Sequence, residues 1–185
     1  MPDGLLRADA RRNRARVLAA AATVFAAQGV GASTEEVARA AGVGVGTVFR
    51  HFPTKEALLL AVYEARLAEL ADEARALADA DDPGAAFEAF FRTVVARSGT
   101  KLAVVDALAV VGIDVRTSAQ QTGLGAALRV LLTRAQDAGR IRADIGIADV
   151  TALLAGASRA VQQATTDDVR RRAVDIVLSG LRVSS

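Results

Sequence analysis

The stretch from Ser33 to Leu58, STEEVARAAGVGVGTVFRHFPTKEAL, decides how the chain folds. Ser33 and Glu36 form a capping-box pattern, in which a hydroxyl and a carboxylate satisfy the free amides at the start of a helix. That helix is predicted to end at Gly42, because glycine readily takes the left-handed conformation that terminates helices. A second helix of about two turns is predicted over 45–51. Two short helices joined by a tight glycine turn indicate a helix-turn-helix.

A further helix is predicted before this stretch. Apolar residues recur with helical spacing from about Arg12 to Gln28, and Gly29 supplies a stop. Residues 1–10 are polar and lack apolar anchors, so we expect a disordered arm there. Together these elements predict a three-helix DNA-binding head over residues 1–54, since the second helix of a helix-turn-helix lies in the major groove.

A long amphipathic helix is predicted after the head. Pro53 cannot continue the preceding helix, and Thr54 is a good N-cap for a helix that runs to about Leu77. A helix of that length spans about 30 Å and can link the head to a second domain over residues 55–185. Five more helices are predicted at about 85–97, 102–113, 124–138, 148–164 and 168–181.

Composition favours an all-α, soluble, cytoplasmic protein. The chain is 52% hydrophobic and 24% charged, with 4% aromatic residues and 3 prolines. No apolar stretch is long enough to span a membrane, and the absence of cysteine suits a reducing compartment. The net charge of +2 is mild, but seven basic and four acidic side chains precede Pro53, which leaves the head an excess of three positive charges.

Catalytic chemistry is poorly supported by the sequence. His51 is the only histidine, so catalytic triads are disfavoured and a histidine-rich metal site is excluded. The glycines at 42, 44 and 46 follow no predicted strand and are interpreted as turn residues. We expect no enzyme activity, no metal and no cofactor.

The segment AGVGVGTVFRHFPTKEAL resembles the signature of the TetR family of bacterial transcriptional repressors, over roughly residues 12–60. It joins the glycine turn, the Gly-Thr pair, an aromatic residue, the His-Phe-Pro run and the Thr-Lys-Glu helix start in unbroken register. The resemblance implies a three-helix head joined by a long helix to an α-helical bundle that binds ligand and dimerises. A structural corner of two helices with no DNA-binding role is the alternative.

The resemblance also implies which side chains touch DNA. Two of them depart from the family pattern: Val45 replaces a residue that is often polar, and Phe49 replaces a tyrosine whose hydroxyl meets a phosphate. Val45 offers only an apolar contact to a thymine methyl, and His51 has two interpretations, phosphate contact or packing. The predicted DNA-binding residues are Arg39, Val45, Gly46, Thr47, Phe49, Arg50, His51 and Lys55.

For the second domain, the resemblance implies an effector pocket and a dimer interface. The last two helices, at about 148–164 and 168–181, are predicted to form a four-helix interface with a second copy, although both could instead be interior. The candidate pocket residues, which could equally be ordinary core, are Phe87, Phe91, Val105, Leu108, Arg116 and Gln121.

These expectations combine into a homodimeric repressor that binds a near-palindromic, double-stranded DNA operator and is released by a small molecule. Ligand that enters the second domain would move the long fourth helix. The distance between the two heads would then no longer match the two half-sites on the DNA. Two alternatives remain: an all-α small-molecule-binding or protein-interaction module without DNA binding, and a helical-bundle enzyme.

Overall fold

The computed structural model describes residues 3–113, 115 and 121–183. Within these ranges the chain forms helices joined by short loops, which confirms the all-α prediction. None of these helices is long and apolar enough to cross a bilayer. The helices are α1 (Asp3–Gln28), α2 (Thr34–Ala41), α3 (Val45–His51), α4 (Lys55–Leu77), α5 (Pro83–Ala96), α6 (Ser98–Val110), α7 (Leu124–Asp137), α8 (Ile147–Gln163) and α9 (Asp167–Leu181).

Helix α1 begins earlier than predicted. It starts at Asp3 and not near Arg12, so it includes residues 3–10 of the segment expected to be an arm. The disorder of that arm stays a prediction. The physical reason is local, because no glycine or proline occurs between Leu5 and Gln28 and the segment is rich in alanine, leucine and arginine, which favour helix. The polarity of residues 1–10 suggested a tail, but helix propensity depends little on burial.

Helix α6 also begins earlier than predicted. It starts at Ser98, whereas Gly99 was expected to separate two helices and the start was placed near residue 102. The Ser98 hydroxyl donates a hydrogen bond of 2.7 Å to the carbonyl oxygen of Val95, which joins the last turn of α5 to the first turn of α6. A glycine in a first helical turn costs far less than one in a helix interior, so Gly99 does not break the helix.

The chain divides into two compact units, which are described separately. The first comprises Met1–Ala65 and Ala103–Val115, and the second comprises Arg66–Leu102 and Arg116–Ser185. The domain boundary placed between residues 54 and 55 stays a prediction. In the first unit, α1, α2 and α3 pack around a core that includes Val17, Phe25, Val37, Val48 and Phe52.

In the second unit, α5 packs against α7 and α8, and α9 packs against α8. Its core is built around three fully buried phenylalanines on α5, Phe87, Phe90 and Phe91. Asp82 caps α5 by accepting a 3.0 Å hydrogen bond from the amide of Ala85, with Pro83 in the first helical turn.

Backbone hydrogen bonds join the end of α9 to the loop after α7. The amide of Arg142 donates to the Leu181 carbonyl at 2.9 Å, and the amide of Val183 donates to the Arg140 carbonyl at 3.3 Å. The Arg182 guanidinium donates two hydrogen bonds of 2.7 Å to the half-buried Glu88 carboxylate. This pairing holds the pKa of Glu88 below its ordinary value of 4.5.

Replacing Glu88 by glutamine is expected to destabilise the second unit by about 1 kcal/mol at pH 7, because one partner of a bidentate pair loses its charge. A carboxylate with a lowered pKa stabilises the fold above its unfolded pKa, and that stabilisation is lost as pH falls through the folded value. The difference in unfolding free energy between wild type and Glu88→Gln should therefore shrink at acidic pH below about 4.5.

Urea unfolding of both proteins between pH 3 and pH 8 measures this difference. Glu64→Gln is the matched control for the loss of a half-buried carboxylate, because Glu64 makes no ion pair among the described residues. A difference between Glu88→Gln and wild type that stays constant over this range would show that the ion pair contributes nothing.

Candidate nucleic-acid interface

The turn between α2 and α3 is fixed by local hydrogen bonds. The Ser33 amide donates to the Glu36 carboxylate at 2.7 Å and the Glu36 amide donates to the Ser33 hydroxyl at 3.2 Å, which completes the capping box. The bond from the Ser33 amide, together with one of 3.1 Å from the Ser33 hydroxyl, holds the pKa of the Glu36 carboxyl below its ordinary value. Gly42 has a φ of 64°, and its amide and that of Val43 close the end of α2. The helix-turn-helix prediction is confirmed in this geometry.

Helix α3 turns one face inward and one outward. Val48 is fully buried and Phe52 nearly so, while Thr47 and His51 are half-buried. The His51 ring lies 6.4 Å from that of Phe52, centroid to centroid. Four of the predicted DNA-binding residues share the outward, exposed face, namely Val45, Gly46, Phe49 and Arg50.

The two flanking cations differ in their surroundings. Arg39 is exposed on α2 and makes no ion pair with any residue that the structure describes. The Lys55 ammonium, at the start of α4, donates a 3.2 Å hydrogen bond to the carbonyl oxygen of Gly31. An ammonium has three donors, so Lys55 can brace the loop before α2 and still offer protons to a phosphate.

The two units use their arginines differently. In the head, Arg12 pairs with Asp9, whereas Arg11, Arg39 and Arg50 are exposed and form no ion pair within the described ranges. In the second unit nine arginines are paired with carboxylates: Arg66, Arg75, Arg92, Arg97, Arg140, Arg142, Arg170, Arg171 and Arg182. The uncompensated positive charge on the head is therefore available to a polyanion.

Two arginines of α1 hold α3 in place, and the sequence did not identify them. Arg16 donates hydrogen bonds from Nη2 to the carbonyl oxygens of Ala41 at 2.6 Å and Gly42 at 3.2 Å, where α2 ends. The guanidinium of Arg14 lies 5.0 Å from the centroid of the Phe52 ring, just after α3. These contacts join residues 25 or more apart, so no local pattern could have revealed them.

The predicted effector residues are divided between the two units. Phe87 and Phe91 are buried in the second unit with ring centroids 6.4 Å apart. Leu108 is buried in the first unit, where Val105 is half-buried. Gln121 is exposed, and Arg116 lies outside the described residues. The effector pocket therefore stays a prediction.

Comparisons with known proteins match both parts of the chain. Residues 17–62 match the family of bacterial regulatory proteins of the tetR type. Residues 82–183 match the C-terminal domain of SbtR-like transcriptional regulators. No protein of curated function matches the chain.

Solved structures of this fold cover nearly the whole chain. A TetR transcription regulatory protein from Mycobacterium vanbaalenii is 44% identical, with 96% of this chain and 99% of that chain covered and a TM-score of 0.73. A TetR transcriptional regulator from Streptomyces coelicolor is 36% identical, with 93% and 99% covered and a TM-score of 0.72. RolR in complex with resorcinol, at 24% identity, 95% and 90% coverage and a TM-score of 0.66, shares the fold. The chain belongs to the TetR family of transcriptional regulators, which bind DNA and are not enzymes.

Proposed function

We propose that the protein is a homodimeric repressor that binds a near-palindromic operator through α3 and is released by a small-molecule effector. The observation that supports this most is the outward face of α3, which is exposed beside unpaired arginines and held by a closed turn. A surface of this kind suits the major groove of DNA, which admits an α-helix and carries phosphates along both edges.

The roles of the contact residues follow from their positions. Arg50 can pair with guanine or reach a phosphate, since a guanidinium matches both with two parallel hydrogen bonds. Thr47, Arg39 and Lys55 would hold phosphates, which fixes the register of α3 without reading sequence. His51 packs beside Phe52, which favours the packing interpretation over the phosphate contact.

The dimer is supported by the exposed faces of α8 and α9. Leu153 on α8 and Val169 and Ile176 on α9 are exposed, and 71% of the Ile176 side chain is accessible. Ala152 and Gly156 are exposed on α8 and would let another helix approach closely. Two copies that pack these faces together would bury apolar surface that a single chain leaves in water.

Release by an effector is supported by a ligand complex of a protein with the same fold. RolR, which shares the fold, has been crystallised with resorcinol, so a protein of this architecture can hold a small aromatic molecule. In this chain the buried pair Phe87 and Phe91 would offer an apolar wall. Binding would act by changing the distance between the two heads, which must match half-sites on the DNA.

Footprinting on the DNA upstream of its own coding sequence tests the proposal. We expect two protected half-sites with centres about 34 to 36 Å apart, or a multiple of that distance. A variant in which Thr47, Arg50 and Lys55 are all alanine should protect nothing. Protection that is unchanged in this variant would refute the assignment of α3 as the DNA-contacting element.

Replacing Arg16 by alanine is expected to weaken operator binding about tenfold without changing how binding depends on salt. Arg16 bonds the carbonyls of the turn, so its removal would misplace α3 while the same side chains still meet phosphates. Removing a residue that binds a phosphate directly instead reduces the slope of log K against log salt by about one.

Fluorescence anisotropy at several salt concentrations measures both quantities for Arg16→Ala. Arg16→Lys should restore part of the affinity, because an ammonium can still donate to the carbonyls of Ala41 and Gly42. A flatter salt slope in Arg16→Ala would mean that Arg16 contacts DNA directly.

A further inference from the structure

The outward face of α3 consists of two adjacent columns. Residues four apart on a helix lie about 40° from each other, so Val45 sits above Phe49 and Gly46 sits above Arg50. The Val45 side chain is 39% exposed and that of Phe49 is 43% exposed. Val45 and Phe49 form what we call the apolar column.

The apolar column is unusual within the head. Among the described side chains of residues 8–65, Val45 and Phe49 are the only large hydrophobic groups that are exposed. The other large apolar side chains of that segment are buried or half-buried, so exposure at these two positions is not a general property of the head. Unpaired arginines lie beside this exposed apolar surface. The surface therefore suits a ligand whose anionic groups meet the arginines and whose apolar groups meet Val45 and Phe49.

We propose that Val45 and Phe49 read the C5-methyl groups of thymines in the operator. This inference rests on the proposed function, because it assigns sequence specificity to the same helix. The thymine methyl is the one apolar group that base pairs display in the major groove, and valine and phenylalanine have no side-chain donor or acceptor for the polar edges. Arg50 in the neighbouring column supplies the polar contact.

The geometry restricts where these thymines lie. Val45 and Phe49 are separated by about 6 Å along the helix axis, and stacked base pairs are about 3.4 Å apart. The two methyl groups should therefore fall within about two base pairs of each other in each half-site. A Cβ at Gly46 would meet no atom within 4 Å, so the surface beside the apolar column is open to close approach by a base.

Replacing single thymines of the operator by uracil tests the inference, because uracil lacks only the methyl group. With the full-length protein, we expect a loss of about fourfold in affinity for each methyl removed, and about fifteenfold when the equivalent thymine is changed in both half-sites. One or two thymines in each half-site should be sensitive, and the remaining thymines should tolerate uracil.

Variants of the protein assign each methyl to a side chain. Val45→Ala should abolish the effect of uracil at one thymine, and Phe49→Ala at the other. Val110→Ala is the control, since Val110 is an 86% exposed valine outside the helix-turn-helix and should leave both effects intact. Thermal melting should be unchanged in all three, because each side chain is exposed.

The possible outcomes separate this inference from the proposed function. Sequence-specific binding with uracil tolerated at every position would overturn methyl reading and leave the repressor assignment standing. Sensitivity to uracil that persists unchanged in both Val45→Ala and Phe49→Ala would also overturn it. Failure to bind any DNA sequence specifically would instead refute the proposed function.

Discussion

Replacing Arg50 by alanine is expected to weaken operator binding by at least about thirtyfold. Arg50 is the one residue on the outward face of α3 whose side chain can donate hydrogen bonds, and no carboxylate in the described ranges competes for it. A bidentate arginine contact is worth about 1 to 3 kcal/mol, and a dimer loses two of them. Because Arg50 is exposed, the fold itself should be unaffected.

The partner of Arg50 follows from two measurements made on the same variant. If Arg50 pairs with guanine, the ratio of operator affinity to random-DNA affinity falls and the salt dependence changes little. If it pairs with phosphate, both affinities fall together and the salt slope decreases by about two for the dimer. Arg129→Ala is the matched control, since Arg129 is an exposed arginine of the second unit with no ion pair among the described residues, and it should leave binding unchanged.

The helix-turn-helix could be predicted from the sequence because its signals are local. The Ser33–Glu36 capping box acts over three residues, and the conformation of Gly42 depends on a single missing Cβ. The alternation between buried Val48 and its exposed neighbours follows from helical geometry alone. Hence the boundaries of α3 were predicted correctly. Four of its six predicted DNA-binding residues are exposed, and their contact with DNA stays a prediction.

Contacts between distant residues could not be predicted in this way. Arg16 and Arg14 belong to the arginine-rich part of α1, yet each contacts a group at least 25 residues away. Lys55 was expected only to hold DNA, and it also braces Gly31. Long cationic side chains reach many partners, so their sequence position does not determine which one they bind.

The second unit shows a different limit of sequence analysis. Phe87 and Phe91 have the spacing of a helix face that packs inward, and the same spacing would serve a pocket wall. Whether buried aromatics enclose a ligand depends on the volume left between helices, which hydrophobic periodicity does not encode. The end of α9 is comparable, since the bridge between Ile141 and Arg182 joins residues that no repeat or motif connects.

Replacing Ile176 by aspartate is expected to convert the protein to a monomer and to abolish high-affinity operator binding. Ile176 is 71% exposed on α9, so a charge there costs the isolated chain little. In the proposed dimer it would be buried against the partner, where two aspartates would lose their hydration near each other. A penalty of about 2 kcal/mol or more in each copy raises the dimer dissociation constant by at least about a thousandfold.

Light scattering after size exclusion gives the mass directly, because the chain weighs 19.1 kDa and a dimer weighs twice that. Val110→Asp is the matched control: Val110 is even more exposed, lies outside α8 and α9, and should leave the dimer intact. A monomer carries one head and loses the second half-site, so Ile176→Asp should bind operator little better than random DNA. A dimeric Ile176→Asp protein with unchanged operator affinity would place the interface elsewhere and remove the structural basis for the half-site spacing.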